Sequence, residues 1–221
     1  PRIEKIVIKD VKLRTFITDD THRDEMVAHV YDTTYEVVNK GKDTLVVIDD
    51  SIVRGTTLRD SIVSITARLR PRKIIILSSA PQIRYPDCYG IDMSKMKDFV
   101  AFQALLALLH QSGRDHLLQE TYERCKHSEQ LPVEMVKNEV TALYDLFEYE
   151  AISRKISEIV RPPDIEPELE VMFQTLDGLH LACPHHSGDW YFSGQYPTPG
   201  GNRVVNRAFM NYVEKRDERA Y

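Results

Sequence analysis

Apolar and polar positions change period several times along the chain, and each change marks an expected element. Ile3, Ile6 and Ile8 alternate with charged residues, and Val11, Leu13 and Phe16 continue the alternation. That pattern predicts one strand, or two short ones, near a sheet edge. Thr18 to Thr21 offer capping groups for a helical segment from Arg23 to Val38, with a stripe through Val27, Val30, Tyr31, Thr34, Val37 and Val38. Gly41 to Thr44 form a turn into Val46–Ile48, which lack polar alternation and so predict a strand buried on both faces. Leu58, Ile62, Ile65 and Leu69 then recur at helical spacing. Pro71-Arg72 breaks the chain, and Ile74 to Leu77 predict a second buried strand. Strand, helix, strand is the crossover of a parallel sheet.

The pattern downstream is mainly helical. Phe99 to Leu109 is apolar around most of a helix, and Leu117 to Cys125 predict another. Pro132 suits the first position of a long helix running to about Val160, with a core stripe through Val133, Val136, Val140, Leu143, Phe147, Ile152, Ile156 and Ile159. Arg161-Pro162-Pro163 ends it. Leu169, Val171 and Phe173 alternate as in a strand leading into Thr175–Leu179. The Gly-, Pro- and aromatic-rich stretch from Cys183 to Gly201 reads as irregular, before a short helix over Val204–Val213. The expected architecture is α/β: a parallel sheet with flanking helices, followed by a mainly helical region. Its divisions fall at 1–94, 95–163 and 164–221, the last an irregular extension.

Composition narrows the partners. Acids outnumber bases 34 to 29, with a net charge of −5 and no basic block. General binding to nucleic acid or to an anionic membrane is therefore not expected. No apolar run reaches the length of about 18 residues that a membrane span requires. Three cysteines, Cys88, Cys125 and Cys183, make no disulfide framework, which fits a reducing, cytoplasmic setting. The chain starts at Pro1 and enters a strand pattern at once, as a piece of a longer protein would.

The chemistry concentrates in Leu45–Thr57. Two carboxylates, Asp49 and Asp50, follow the apolar run at the carboxyl end of a strand, where open α/β sheets bind ligands. Ser51, Thr56 and Thr57 supply hydroxyls, Gly55 lets the backbone come close to a bound group, and a helix start brings exposed N–H groups. Carboxylates at one end and an anion cradle at the other describe a ribose 5-phosphate, its hydroxyls held directly or through a divalent cation. The Lys and glycine spacing of a P-loop are missing. The same residues also describe an acidic strand end before an ordinary capped helix.

The stretch Val47-Ile48-Asp49-Asp50-Ser51-Ile52-Val53-Arg54-Gly55-Thr56-Thr57 resembles the phosphoribosyl pyrophosphate signature of type I phosphoribosyltransferases. Its Ser-Ile-Val-Arg-Gly-Thr-Thr form is similar to that of the glutamine amidophosphoribosyltransferases of purine synthesis. Ala80-Pro81-Gln82-Ile83-Arg84-Tyr85-Pro86-Asp87-Cys88-Tyr89-Gly90-Ile91-Asp92-Met93 and Arg14-Thr15-Phe16-Ile17 match further blocks of that family in its order. Phe192 to Thr198 echo it more faintly.

The resemblance implies a partial type I phosphoribosyltransferase fold. The parent enzyme would form 5-phosphoribosylamine from phosphoribosyl pyrophosphate and ammonia released from glutamine. It also implies a magnesium ion and the ribose hydroxyls at Asp49 and Asp50, and the 5-phosphate at Ser51, Arg54, Gly55, Thr56 and Thr57. Arg23 and Arg84 would be accessory cations, although Arg84 serves equally as a loop tie. Purine nucleotides as inhibitors, a homo-oligomer and a glutaminase domain elsewhere in the protein belong to the same expectation. No glutamine-dependent turnover is expected of this chain alone. Ala28 and Val30 stand where the family pattern carries Arg and Lys. That departure keeps a non-catalytic ribose-phosphate-binding module in view, beside a base-salvage phosphoribosyltransferase. Cys183, His185 and His186 lack a second pair at zinc spacing. Cys88 lies one place from a family iron–sulfur ligand and Cys183 has no Cys-x-x-Cys companion, so no cluster is expected.

Overall fold

The structure, a computed structural model, describes residues 2–3, 7–9, 31–33, 37–56, 58–87, 93–186 and 188–220. Arg23, Ala28, Val30, Thr57 and Cys88 to Asp92 lie outside these residues, as does most of the helix expected from Arg23. Strand β1 (Val7–Lys9) pairs antiparallel with β2 (Tyr31–Thr33), Ile8 opposite Asp32. Tyr31–Thr33 were expected to be helical. Tyr and Thr favour extended backbone, and here the cross-strand pairing supplies the hydrogen bonds that a helix would have made.

A second sheet has the order β3 (Thr44–Asp49), β4 (Lys73–Ser78), β5 (Glu168–Phe173). Its direction follows from the flanking hydrogen bonds. Arg72 N–H donates to the Asp43 carbonyl and Ser79 N–H to that of Asp49, so β4 advances in the same sense as β3. Glu168 N–H donates to Arg72 and Gln174 N–H to Ser78, so β5 runs parallel to β4 as well. Leu45 is buried, but Val46 is 55% and Ile48 74% exposed. The expectation that β3 is buried on both faces is therefore wrong. Its apolar run reflects an edge strand with one covered face, whereas the fully buried Ile74 and Ile76 belong to the central β4.

The chain divides into two compact units. The first comprises Pro1–Val47, Gly55–Ile76 and Val160–Glu170, the second Ile48–Arg54, Leu77–Ile159 and Val171–Tyr221. In the first, a π-helical segment (Leu58–Val63) leads into α1 (Ser64–Ala67). Leu58, Ile65 and Leu69 of the expected stripe are buried, but Val63 is fully buried where Ile62 is half-buried. The wider i→i+5 turn moves the buried face along by about one residue. Val38, Leu45 and Leu69 close this unit's core.

The second unit is helical: α2 (Val100–Gln111), α3 (His116–Ser128), α4 (Thr141–Tyr144), α5 (Tyr149–Val160), α6 (Leu176–Ala182), α7 (Trp190–Ser193) and α8 (Pro199–Val213). Phe102 of α2 packs edge-on against Phe209 and Tyr212 of α8, at 6.2 and 4.9 Å between ring centres. Phe99, Leu105, Leu109 and Cys125 are fully buried.

The single helix expected from Pro132 to Val160 is absent. A 3-10 turn (Val133–Met135), α4 and α5 replace it. Asn206, 1% exposed, explains the interruption, because its amide donates to the Lys137 carbonyl (2.8 Å) and accepts from Glu139 N–H (3.1 Å). Those main-chain groups are thereby claimed from outside the segment. Thr175 does not continue β5. Its hydroxyl caps α6 by accepting from Gly178 N–H at 3.0 Å. The stretch read as irregular holds α7 and the start of α8. Gly194, with φ +75°, ends α7 where a Cβ would meet the Tyr85 ring at 2.8 Å.

Candidate functional site

Asp49 and Asp50 stand at the end of β3, and main-chain donors just beyond β4 hold them there. Ser79 N–H donates to the Asp49 carbonyl at 2.9 Å, and Ala80 N–H to that of Asp50 at 3.1 Å. The Ser79 hydroxyl donates to the Asp50 carbonyl too, at 3.1 Å. The carboxylates accept from the next residue along: Asp49 Oδ1 from Asp50 N–H (3.0 Å) and Asp50 Oδ1 from Ser51 N–H (2.9 Å). Each therefore keeps one oxygen clear of that local bond. Burial, and next the neighbouring Asp50 carboxyl, make the Asp49 carboxyl harder to ionise than an ordinary aspartate. A bound cation or sugar hydroxyl would reverse that penalty.

The loop then turns inward. Ile52 is 4% exposed, and the Val53 carbonyl accepts from Val100 N–H, the first of α2, at 2.8 Å. Arg54 is exposed. In the first unit the chain continues through Gly55, whose φ of +74° is a left-handed conformation that glycine adopts without strain. The Gly55 carbonyl accepts from Arg59 N–H at 2.9 Å as the helical backbone begins at Thr56.

Arg84 is engaged differently. Its Nε and Nη2 donate to Gln82 Oε1 at 3.0 and 2.8 Å, and its guanidinium lies 4.9 and 5.1 Å from the Tyr144 and Tyr149 ring centres. Gln82 in turn donates to the Tyr149 carbonyl and Ser153 hydroxyl. The cleft of about 340 Å³ beside Arg84 is lined by Asp145 and Glu148, whose charges disfavour a phosphate. These contacts tie Arg84 to Gln82 and to the two tyrosine rings.

Among the described residues, no group of three His, Cys, Asp or Glu side chains could hold a metal ion. Cys183, His185 and His186 are exposed, and the His186 ring accepts from Gly188 N–H. Two adjacent carboxylates nevertheless suit magnesium. That ion typically takes one or two protein carboxylates and completes its shell with water and substrate phosphate oxygens.

Comparison with known proteins gives partial sequence matches. No family model matches the chain. An amidophosphoribosyltransferase of Pasteurella multocida is 48% identical over 63 residues, 28% of this chain and 12% of that protein. That of Methanocaldococcus jannaschii is 35% identical over 88 residues, 40% of this chain and 18% of the relative. The chain thus spans less than a fifth of the length of these curated relatives. A B. subtilis glutamine phosphoribosylpyrophosphate amidotransferase, solved with ADP and GMP, aligns with 88% of this chain and 32% of its own at 22% identity and a TM-score of 0.47.

A small parallel sheet flanked by helices, followed by a largely helical region, is consistent with a partial type I phosphoribosyltransferase-like fold. Over the matched residues the sequence is similar to amidophosphoribosyltransferases.

Proposed function

We propose that Asp49–Thr57 is a ribose 5-phosphate-binding stretch of a phosphoribosyltransferase that uses phosphoribosyl pyrophosphate. The observation that carries this reading is the acid pair, fixed through its own carbonyls at the end of a parallel strand and leading into a glycine turn and helix start. Asp49 and Asp50 would take the ribose hydroxyls and the magnesium ion. Ser51, Arg54, Gly55, Thr56 and Thr57 would take the 5-phosphate through hydroxyls, N–H groups and the Arg54 charge, and Arg23 would be accessory. Magnesium bound there would neutralise charge gathering on the departing pyrophosphate. The chain's own contribution is to orient the sugar and keep C1 open to a nucleophile.

In the whole protein we infer ammonia as that nucleophile, giving 5-phosphoribosylamine. The similarity to amidophosphoribosyltransferases supports this reading. The glutaminase domain that supplies ammonia, inhibition by purine nucleotides, self-association and a cytoplasmic setting belong to the same proposal. Ala28 and Val30 favour a second reading, a module that binds ribose phosphate without turning it over.

Calorimetric titration with ribose 5-phosphate, and with phosphoribosyl pyrophosphate plus magnesium, tests the site. Saturable binding should disappear in Asp49→Asn with Asp50→Asn while the circular dichroism spectrum stays unchanged. Undiminished affinity in that variant would refute the assignment. Binding without turnover in the full-length enzyme would select the second reading.

A further inference from the structure

The loop that carries the acid pair is tied at its far end to α2, and α2 is in turn tied to a distant stretch of sequence. Val100 N–H belongs to the first turn of its helix, whose N–H groups have no partner within the helix. It donates to the Val53 carbonyl instead. Ahead of it, Met96–Asp98 form a tight 3-10 turn, with Met96 and Phe99 almost fully buried. The Gln103 amide donates back to the Lys97 carbonyl at 2.9 Å. The start of α2 is therefore a compact block braced by its own turn and hydrogen bonds.

Two lysines of that block, Lys95 and Lys97, converge on one carboxylate, Asp217. Lys95 Nζ lies 2.9 Å from Asp217 Oδ1, and Lys97 Nζ meets the same oxygen. Asp217 sits in the segment that follows α8, and that segment is anchored on both sides. Upstream, Glu214 accepts from the Tyr122 hydroxyl at 2.7 Å and pairs with Arg216 at 3.0 Å. Downstream, the Glu218 carbonyl accepts from the Asn211 amide at 3.4 Å, and Ala220 is 5% exposed. The segment is held to α3 and α8 and offers one side chain to the block ahead of α2.

We propose that Asp217 is a positioning residue for the acidic loop: segment 214–220 clips the Lys95–Phe99 turn, and that turn sets the Val100 N–H that holds the Val53 carbonyl. The mechanical link stands on these contacts alone, whereas its effect on ligand binding rests on the ribose 5-phosphate reading. Asp217 is exposed, its side chain 66% open to solvent, so the clip is a local device and contributes little to global stability.

Amide exchange separates these roles. In Asp217→Asn of the full chain, the Val100 amide should exchange about threefold faster, as a local opening would allow. The Leu105 and Ile156 amides should keep their rates, and Asp217→Glu should restore Val100. Lys95→Met with Lys97→Met should reproduce the Asp217→Asn result. An unchanged Val100 rate, or equal acceleration at Leu105 and Ile156, would overturn the proposal. If the native chain binds ribose 5-phosphate, Asp217→Asn should weaken that binding by a similar factor. If it binds none, faster Val100 exchange still supports the clip, and only the ligand reading falls.

Discussion

In residues 49–54 the main chain makes the fixed contacts. Carbonyls of Asp49, Asp50 and Val53 accept from Ser79, Ala80 and Val100, while the Asp50 and Arg54 side chains face solvent. In α2, α3 and α8 the side chains do the fixing: Phe102 packs against Phe209 and Tyr212, and Asn206 satisfies main-chain groups of another segment. The difference teaches where each region tolerates change. A backbone-held loop can exchange side chains for binding without losing its shape. A region held by side chains loses stability when the buried ones are cut back.

The largest expected effect tests that division. Phe209→Ala removes a fully buried ring from its edge-on contact with Phe102, and should cost about 3–5 kcal/mol in urea unfolding. Asp49→Asn with Asp50→Asn should leave the urea midpoint nearly unchanged. A comparable loss from the acid pair would mean that the loop is structural, and the contrast between the regions would collapse.

Asn206→Ala comes next. It leaves the Lys137 carbonyl and Glu139 N–H without their partner and removes the weaker 3.4 Å bond to Ser128, a loss of about 2 kcal/mol. The same substitution explains why part of the fold was hidden in the sequence. The stripe from Val136 to Ile156 has helical spacing, yet nothing local announces that a residue some 70 positions downstream takes over its hydrogen bonds. By contrast β4, α2 and α3 were legible, because runs such as Ile74–Leu77 and Phe99–Leu109 bury what their own period predicts. β3 misled for the opposite reason, since an apolar run does not reveal whether a strand lies at the centre of a sheet or at its edge. At the site, Asp49, Asp50 and the glycine turn could be read directly. The Val53–Val100 tie and Asp217 carry no pattern that a sequence shows.

Stability at the end of α8 offers a smaller effect. Lys215 has φ +58°, where a Cβ is strained, and the N–H of Arg216 reaches back to the Asn211 carbonyl at 2.8 Å. This is the cap at which helices favour glycine. Lys215→Gly should raise stability by about 0.5–1 kcal/mol in thermal or urea unfolding. A loss would mean that the lysine makes a contact which outweighs its strain.

The smallest global effect belongs to pH. Lys97, then Lys95, hydrogen-bond Asp217 and hold its carboxyl well below the ordinary aspartate range, at about 2. Asp98 stands beside Lys97, whose own affinity for a proton Asp217 raises. Because the folded carboxyl is the stronger acid, its contribution is complete above the unfolded value of about 3.9 and is lost as pH falls toward about 2. Val100 exchange, corrected for the intrinsic pH dependence of the chemistry, should therefore stay level down to about pH 4 and rise below it. In Asp217→Asn the corrected rate should be high throughout and lose that rise. A wild-type rise centred near pH 6 would point to a histidine instead, and would detach the start of α2 from Asp217.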